Sequence, residues 1–178
     1  MIARASTVSV RVLGIDPGSV RTGWGVVERS GSRIIGIAAG VIEAGSKDEL
    51  HLRLPVIYDG LRAVILEHKP TTVAVEDIFY SRNVQSALKL GHARGVALLA
   101  AGHSGLDVTA YPPAVVKRSI AGSGRAEKEQ VAMIVGAILG WKQLPAIDAT
   151  DALAVAITHA QAAGRPNTLP VPRPRGRK

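Results

Sequence analysis

The apolar residues of this chain change period several times, and each change marks an element. Val8, Val10, Val12, Leu13 and Ile15 form a β-branched run without strict alternation, the pattern of a strand covered by helices on both faces. It stops at Asp16. Pro17 and Gly18 then force a turn, which leaves the carboxylate at the rim of the sheet, available either for turn chemistry or as a ligand. Gly23 to Val27 and Arg33 to Ile42 are two more strand signals divided by Ser30 and Gly31, so an antiparallel meander is predicted. From Asp48 to Lys69 the period lengthens. Leu50, Leu54, Ile57, Leu61, Val64 and Ile65 recur at helical spacing, Pro55 predicts a kink or a start later than Asp48, and Pro70 ends the helix.

Thr72 to Val75 is a second buried-strand run, and it too ends in acid, at Glu76 and Asp77. A helix follows from about Asn83 to Gly102, with Ala87, Leu88, Gly91, Gly95, Leu98 and Leu99 as small and apolar positions that admit close approach of the sheet or of a second copy of the chain. Leu106 to Tyr111 reads as the last strand, and Pro112 and Pro113 open the next helical turn. Past Lys117, Arg118 and the stretch from Gly122 to Arg125, an apolar helix runs from near Glu127 to Gly140, and a final helix begins at about Asp148. The predicted fold class is α/β: one five-stranded mixed sheet flanked by helices, in a single domain over residues 1–163. Residues 164–178, rich in Pro, Gly and Arg, are expected to be a disordered basic tail.

Composition narrows the chemistry. The 178 residues include no cysteine, which excludes disulfides, thiolate metal sites and cysteine nucleophiles and fits a reducing compartment. The longest apolar stretches, Val96 to Ala101 and Val131 to Trp141, are too short to span a bilayer, so a soluble, cytoplasmic protein without a membrane partner is expected. The net charge is +8, and removing the five cations of the tail (Arg165, Arg173, Arg175, Arg177 and Lys178) leaves a mildly basic body at +3. A polyanionic partner suits that surplus, since Lys and Arg neutralise phosphates and release counterions.

Two strands that both end in acid point further. Ligands of α/β sheets collect beyond the carboxyl ends of strands, so Asp16 and Glu76 share one crevice if their strands are parallel neighbours. Asp148 and Asp151, three apart on a helix, share a face; they serve either that same crevice or the start of the helix, as N-cap and first-turn acid. Carboxylates that converge repel, and are relieved by a raised pKa or by a metal. Hard oxygen ligands select Mg²⁺ or Mn²⁺, and two such ions suit in-line phosphodiester hydrolysis.

Three stretches, GIDPGSVRTGWGVV from Gly14 to Val27, VEDIFYSRNVQSALKLGHARG from Val75 to Gly95, and DATDALAVAITH from Asp148 to His159, resemble the RuvC family of Holliday junction resolvases. The resemblance extends over roughly Val10 to His159. It implies a ribonuclease-H-like fold and a homodimeric, metal-dependent endonuclease of recombination and repair. Such an enzyme cuts four-way DNA junctions by paired symmetric nicks and works with the RuvA and RuvB branch-migration proteins. By position, the family's catalytic and metal-binding acids fall on Asp16, Glu76, Asp148 and Asp151, with two Mg²⁺ or Mn²⁺ ions per site; some relatives carry histidine at the place of Asp148. Lys117 and Lys128 match basic positions near the scissile phosphate and count as catalytic. Phe79 matches an aromatic that stacks on bases near the crossover, and Arg82, Arg118 and Arg125 complete the expected DNA contacts. The sequence departs from many relatives at Ser123, where they have lysine, and Arg125 is the expected substitute.

Histidines are expected to be structural: His92 and His103 as packed or surface residues, His159 too far from Asp151 to share a metal. Two other readings remain open at this point. A nucleotide-binding protein of the sugar-kinase, actin and Hsp70 superfamily would need a second facing domain and a second phosphate loop, and a non-catalytic DNA-binding module would be expected to lack one of the four acids.

Overall fold

A computed structural model describes residues 9–77 and 83–163. Its elements are β1 (Val10–Asp16), β2 (Arg21–Ser30), β3 (Arg33–Glu43), α1 (Leu50–His68), β4 (Thr72–Glu76), α2 (Val84–His103), β5 (Val108–Tyr111), α3 (Pro113–Ala121), α4 (Lys128–Leu139) and α5 (Ile147–Ala162). The sheet order is β3-β2-β1-β4-β5, antiparallel across β3, β2 and β1 and parallel across β1, β4 and β5. This is the mixed five-stranded sheet that the apolar runs predict. The predicted tail, and Phe79 and Arg82, lie outside the described residues.

Both faces of the sheet are covered, which explains why its central strands lack alternation in polarity. Leu13, Ile15, Val26, Val73 and Val75 point to one side and pack with Ile57, Leu61, Ala93 and Ala97 of α1 and α2. Val12, Val27 and Ala74 point to the other and pack with Val116, Val131, Val135, Leu153 and Ile157 of α3, α4 and α5. Among the described residues no helix is long and apolar enough to cross a membrane.

Helix α5 lies closest to the sheet. A side chain on Gly14 would collide with the Ala152 carbonyl, and one on Gly23 with the carbonyl of Asp148. The helix presents Ala149, Ala152, Ala156 and Ala160, all fully buried, so backbone meets backbone with only methyl groups between. Large side chains on either surface would hold the helix several ångströms farther out.

Element boundaries refine the expectations at few places. α1 begins at Leu50, two residues after Asp48, and carries Pro55 inside it, so the start is later than Asp48 but is not marked by the proline. Lys69, in left-handed conformation at φ 48°, closes that helix by donating its N–H to the Ile65 carbonyl before Pro70. Asn83 caps α2 by accepting the Ser86 N–H at 3.1 Å, and Pro113 opens α3. α5 starts at Ile147 with Ala146 in the cap position, so Asp148 is not its N-cap and its side chain is turned elsewhere.

Candidate active site

The strand register brings the first two acids together. Parallel pairing of Ile15 with Val75 places the next residues, Asp16 and Glu76, side by side at the carboxyl ends of β1 and β4, and their side chains share a hydrogen bond. Each is half-buried. The turn beyond Asp16 is pinned from three sides. Buried Thr22 accepts the Gly18 N–H at 3.3 Å and donates its hydroxyl to the Gly18 carbonyl at 2.9 Å. Arg53, buried on α1, donates to the Ser19 carbonyl at 3.0 Å, and the Ala44 N–H donates to the Val20 carbonyl at 2.8 Å. Buried polar groups are costly unless paired, so the Thr22 hydroxyl and the Arg53 Nη1 are explained by the turn they hold.

The close seat of α5 delivers the other two acids. Asp148 and Asp151 stand on its first turns, beside Gly23, which is itself the ladder partner of Asp16. Each meets a cation. Lys128, at the start of α4, donates to Asp151 Oδ2 at 2.8 Å, and Arg21, at the start of β2, reaches Asp148 Oδ2 through Nε at 3.0 Å. Asp77 pairs with Arg94 of α2, at 3.1 Å.

Charge crowding is largest at Asp16. Burial, the Glu76 carboxylate and the hydrogen bond to it, and then Asp151, push the Asp16 carboxyl up to about 8, against a smaller downward pull from Lys128. Burial likewise raises Glu76, with Asp151 adding to it, while the hydrogen bond from Asp16 and the charges of Lys128 and Lys117 pull it down. The pair therefore retains a proton that two separate carboxylates would lose. Lys128 is raised, chiefly by its hydrogen bond to Asp151, and stays charged.

Of the residues singled out by sequence, Asp16, Glu76, Asp151, Lys117 and Lys128 thus form one electrostatic unit. Asp148 is next to it but turned to Arg21. Among the described residues no three acidic or histidine side chains converge tightly enough to hold one ion in this arrangement. Arg125 is exposed in the loop before α4, its N–H donating to Ser123 Oγ at 3.3 Å. Arg118 is not brought to the acids. It lines a cavity of about 350 Å³ with Tyr111, Thr158 and Gln161, at the far end of α5. The histidines behave as expected: His92 Nδ1 pairs with the Leu88 carbonyl, His103 Nδ1 with the Tyr58 hydroxyl, and His159 with Tyr111 and Thr72.

The donor chemistry fits a divalent cation. Among the described residues the acids offer carboxylate oxygens, and these are crowded until a proton is retained that water would have removed, a repulsion that a hard cation relieves. Sequence reasoning missed Arg21, Thr22 and Arg53. Arg53 left a signal, a charged residue in line with the apolar positions Ile57 and Leu61 of α1; Arg21 left none, because its partner is 127 residues away.

Comparison with known proteins is consistent with this geometry. The family model described as crossover junction endodeoxyribonuclease RuvC matches residues 12–159. The protein of that name from Sorangium cellulosum is 49% identical over 169 residues, covering 92% of this chain and 94% of its own. That from Geobacter metallireducens is 46% identical over 160 residues, covering 90% and 98%. The solved structure of T. thermophilus RuvC in complex with Holliday junction substrate matches at 38% identity and a TM-score of 0.82, over 87% of this chain and 95% of that one.

Proposed function

Since this chain belongs to the crossover junction endodeoxyribonuclease RuvC family, we propose that it resolves four-way DNA junctions by paired symmetric nicks at the site formed by Asp16, Glu76, Asp148 and Asp151. It is a metal-dependent endodeoxyribonuclease with a ribonuclease-H-like fold. The observation that carries the site assignment is the placement of Asp16 and Glu76 side by side at adjacent parallel strand ends, with Asp151 and its partner Lys128 beside them.

The four acids would hold two Mg²⁺ or Mn²⁺ ions, which when bound supply an activated water and Lewis-acid stabilisation of the leaving oxygen. Everything else falls to the chain itself. Asp16, anchored in the central strand and backed by the pinned turn, sets the position of the other acids. Lys128 and Lys117 keep cationic charge beside the acids, where a phosphodiester bearing extra negative charge in its transition state would be stabilised. Phe79, outside the described residues, would stack on bases near the crossover, with Arg82 and Arg125 on the phosphates.

A homodimer is the form proposed to make paired nicks. The outward face of α2 supports it: Ala87, Leu88, Gly91, Gly95, Val96 and Leu99 line an apolar groove of about 490 Å³, with Leu88 and Leu99 about half exposed. RuvA and RuvB remain the proposed branch-migration partners, the cytoplasm the proposed compartment, and 1–163 the proposed nuclease domain. Family membership removes the nucleotide-binding alternative, and the presence of all four acids argues against a non-catalytic module.

The test is direct. With Mn²⁺ or Mg²⁺ the protein should nick a synthetic four-way junction in opposed strands and leave a linear duplex of the same sequence intact. Asp16→Asn should bind the junction without cutting it; normal cutting by that variant would overturn the site assignment. Sedimentation as a monomer at all concentrations would overturn the dimer.

A further inference from the structure

Arg21 differs from the cations that the sequence singled out, because it stands between two acids with different roles. It opens β2 and pairs across the ladder with Glu43, the last residue of β3. Its guanidinium lies 3.0 Å from Asp148 Oδ2 through Nε and 3.9 Å from Glu43 Oε1 through Nη2. Exposure is graded along this line, at 29% for the Asp148 side chain, 47% for Arg21 and 73% for Glu43. The inner partner belongs to the acid cluster and the outer one to the solvent edge of the sheet.

A guanidinium is a planar fork of donors that can serve two carboxylates at once, and it stays charged throughout. Resting on the reading of Asp148 as a metal ligand, we infer that Arg21 is a positioning residue that holds the Asp148 carboxylate in the metal-free protein and passes to Glu43 when a divalent cation takes it. The cross-strand register keeps both acids within reach of one side chain, so the exchange requires only a rotation and no proton transfer. Glu43 is the necessary second half. A guanidinium released beside an incoming dication is repelled, and the carboxylate directly opposite on β3 receives it.

Two consequences follow from the competition. Arg21 opposes metal binding, and Glu43 favours it only through Arg21. These are read on the full chain without DNA, by Mn²⁺ titration followed through the electron paramagnetic resonance of free Mn²⁺ and through the metal-induced rise in Tm. Arg21→Gln is expected to tighten Mn²⁺ binding by about two- to fivefold, the scale of a half-exposed ion pair. Glu43→Gln alone is expected to weaken it by a similar factor and to do nothing in the Arg21→Gln background. Arg21→Lys, which keeps the charge but cannot span both acids, is expected to fall between wild type and Arg21→Gln.

An additive effect of Glu43→Gln in the Arg21→Gln background would show that both residues act only through the general field, and would overturn the inference. So would a lysine variant indistinguishable from wild type, or an Arg21→Gln variant whose Mn²⁺ affinity is unchanged while junction binding weakens, the mark of a phosphate contact. Asp148→Asn separates the two levels. If it leaves Mn²⁺ binding unchanged, the reading of Asp148 as a ligand fails. If it weakens binding while Arg21→Gln has no effect, the handover alone fails.

Discussion

Asp16 and Glu76 stand on strand ends and meet each other's carboxyl through a hydrogen bond, with burial and neighbouring carboxylates raising both, whereas Asp148 and Asp151 ride on a helix and are each met by a cation from another element. The strand pair is held by ladders on both sides and by a turn that Thr22, Arg53 and Ala44 pin in place. The helix pair has its backbone seated on the sheet, but its carboxylates are held by side chains, by Lys128 at 62% exposure and Arg21 at 47%. The first pair is therefore the fixed reference of the site, and the second is the part whose partners can be exchanged for another cation at low cost.

Four changes break or sharpen that contrast. The largest effect is expected at the fixed pair. Asp16→Asn should lower the junction-cutting rate roughly a thousandfold or more, about 4 kcal/mol of barrier, while gel-shift affinity for the junction stays within about twofold. Gly23→Ala attacks the spacing between the pairs, since the new methyl group meets the Asp148 carbonyl; unfolding by denaturant should show a loss of about 3 kcal/mol, and cutting should fall with it. Lys128→Ala leaves Asp151 without its partner and should reduce cutting roughly ten- to a hundredfold, in single-turnover assays with saturating metal.

The smallest effect is one of pH. Asp16 keeps its proton up to about 8 in the folded metal-free protein and loses it near 4 when unfolded, so the folded state binds the extra proton between those values and stability falls as pH rises through that window. The metal-free Tm should drop by roughly a few degrees per pH unit there, a slope that Asp16→Asn flattens. His159 has the opposite sign. Burial lowers its pKa, so the unfolded chain binds the extra proton and stability is lost as pH falls below about 6.5. A Tm profile that rises with pH above 6.5 would contradict the assignment at Asp16.

The fixed pair was also the more legible one. An apolar run that stops at an acid, followed by Pro17 and Gly18, places Asp16 from local pattern alone, and Glu76 repeats the pattern at β4. Helical spacing likewise placed Asp148 and Asp151 on one face. What local pattern could not carry was the engagement of those side chains. Arg21 meets Glu43 only because β2 and β3 pair in one register, and meets Asp148 only because α5 returns across the sheet. The direction of Arg118 was illegible for the same reason: one residue along α3 from Lys117, it lines the cavity with Tyr111, Thr158 and Gln161 and does not join the acids. Neighbours in sequence on a helix look in directions about 100° apart, and only the packing says which of them faces the acids.

Backbone contact between α5 and the strands at Gly14 and Gly23 has a metrological consequence. Side chains have rotamers, and a spacing built from them drifts when they repack; a carbonyl resting on a glycine has none. The gap between the two acid pairs is thus gauged by main-chain atoms, with no adjustable part in the measuring path. Substitutions deeper in either hydrophobic layer can loosen the protein while leaving that distance untouched, so stability can drift over many generations without detuning the cut.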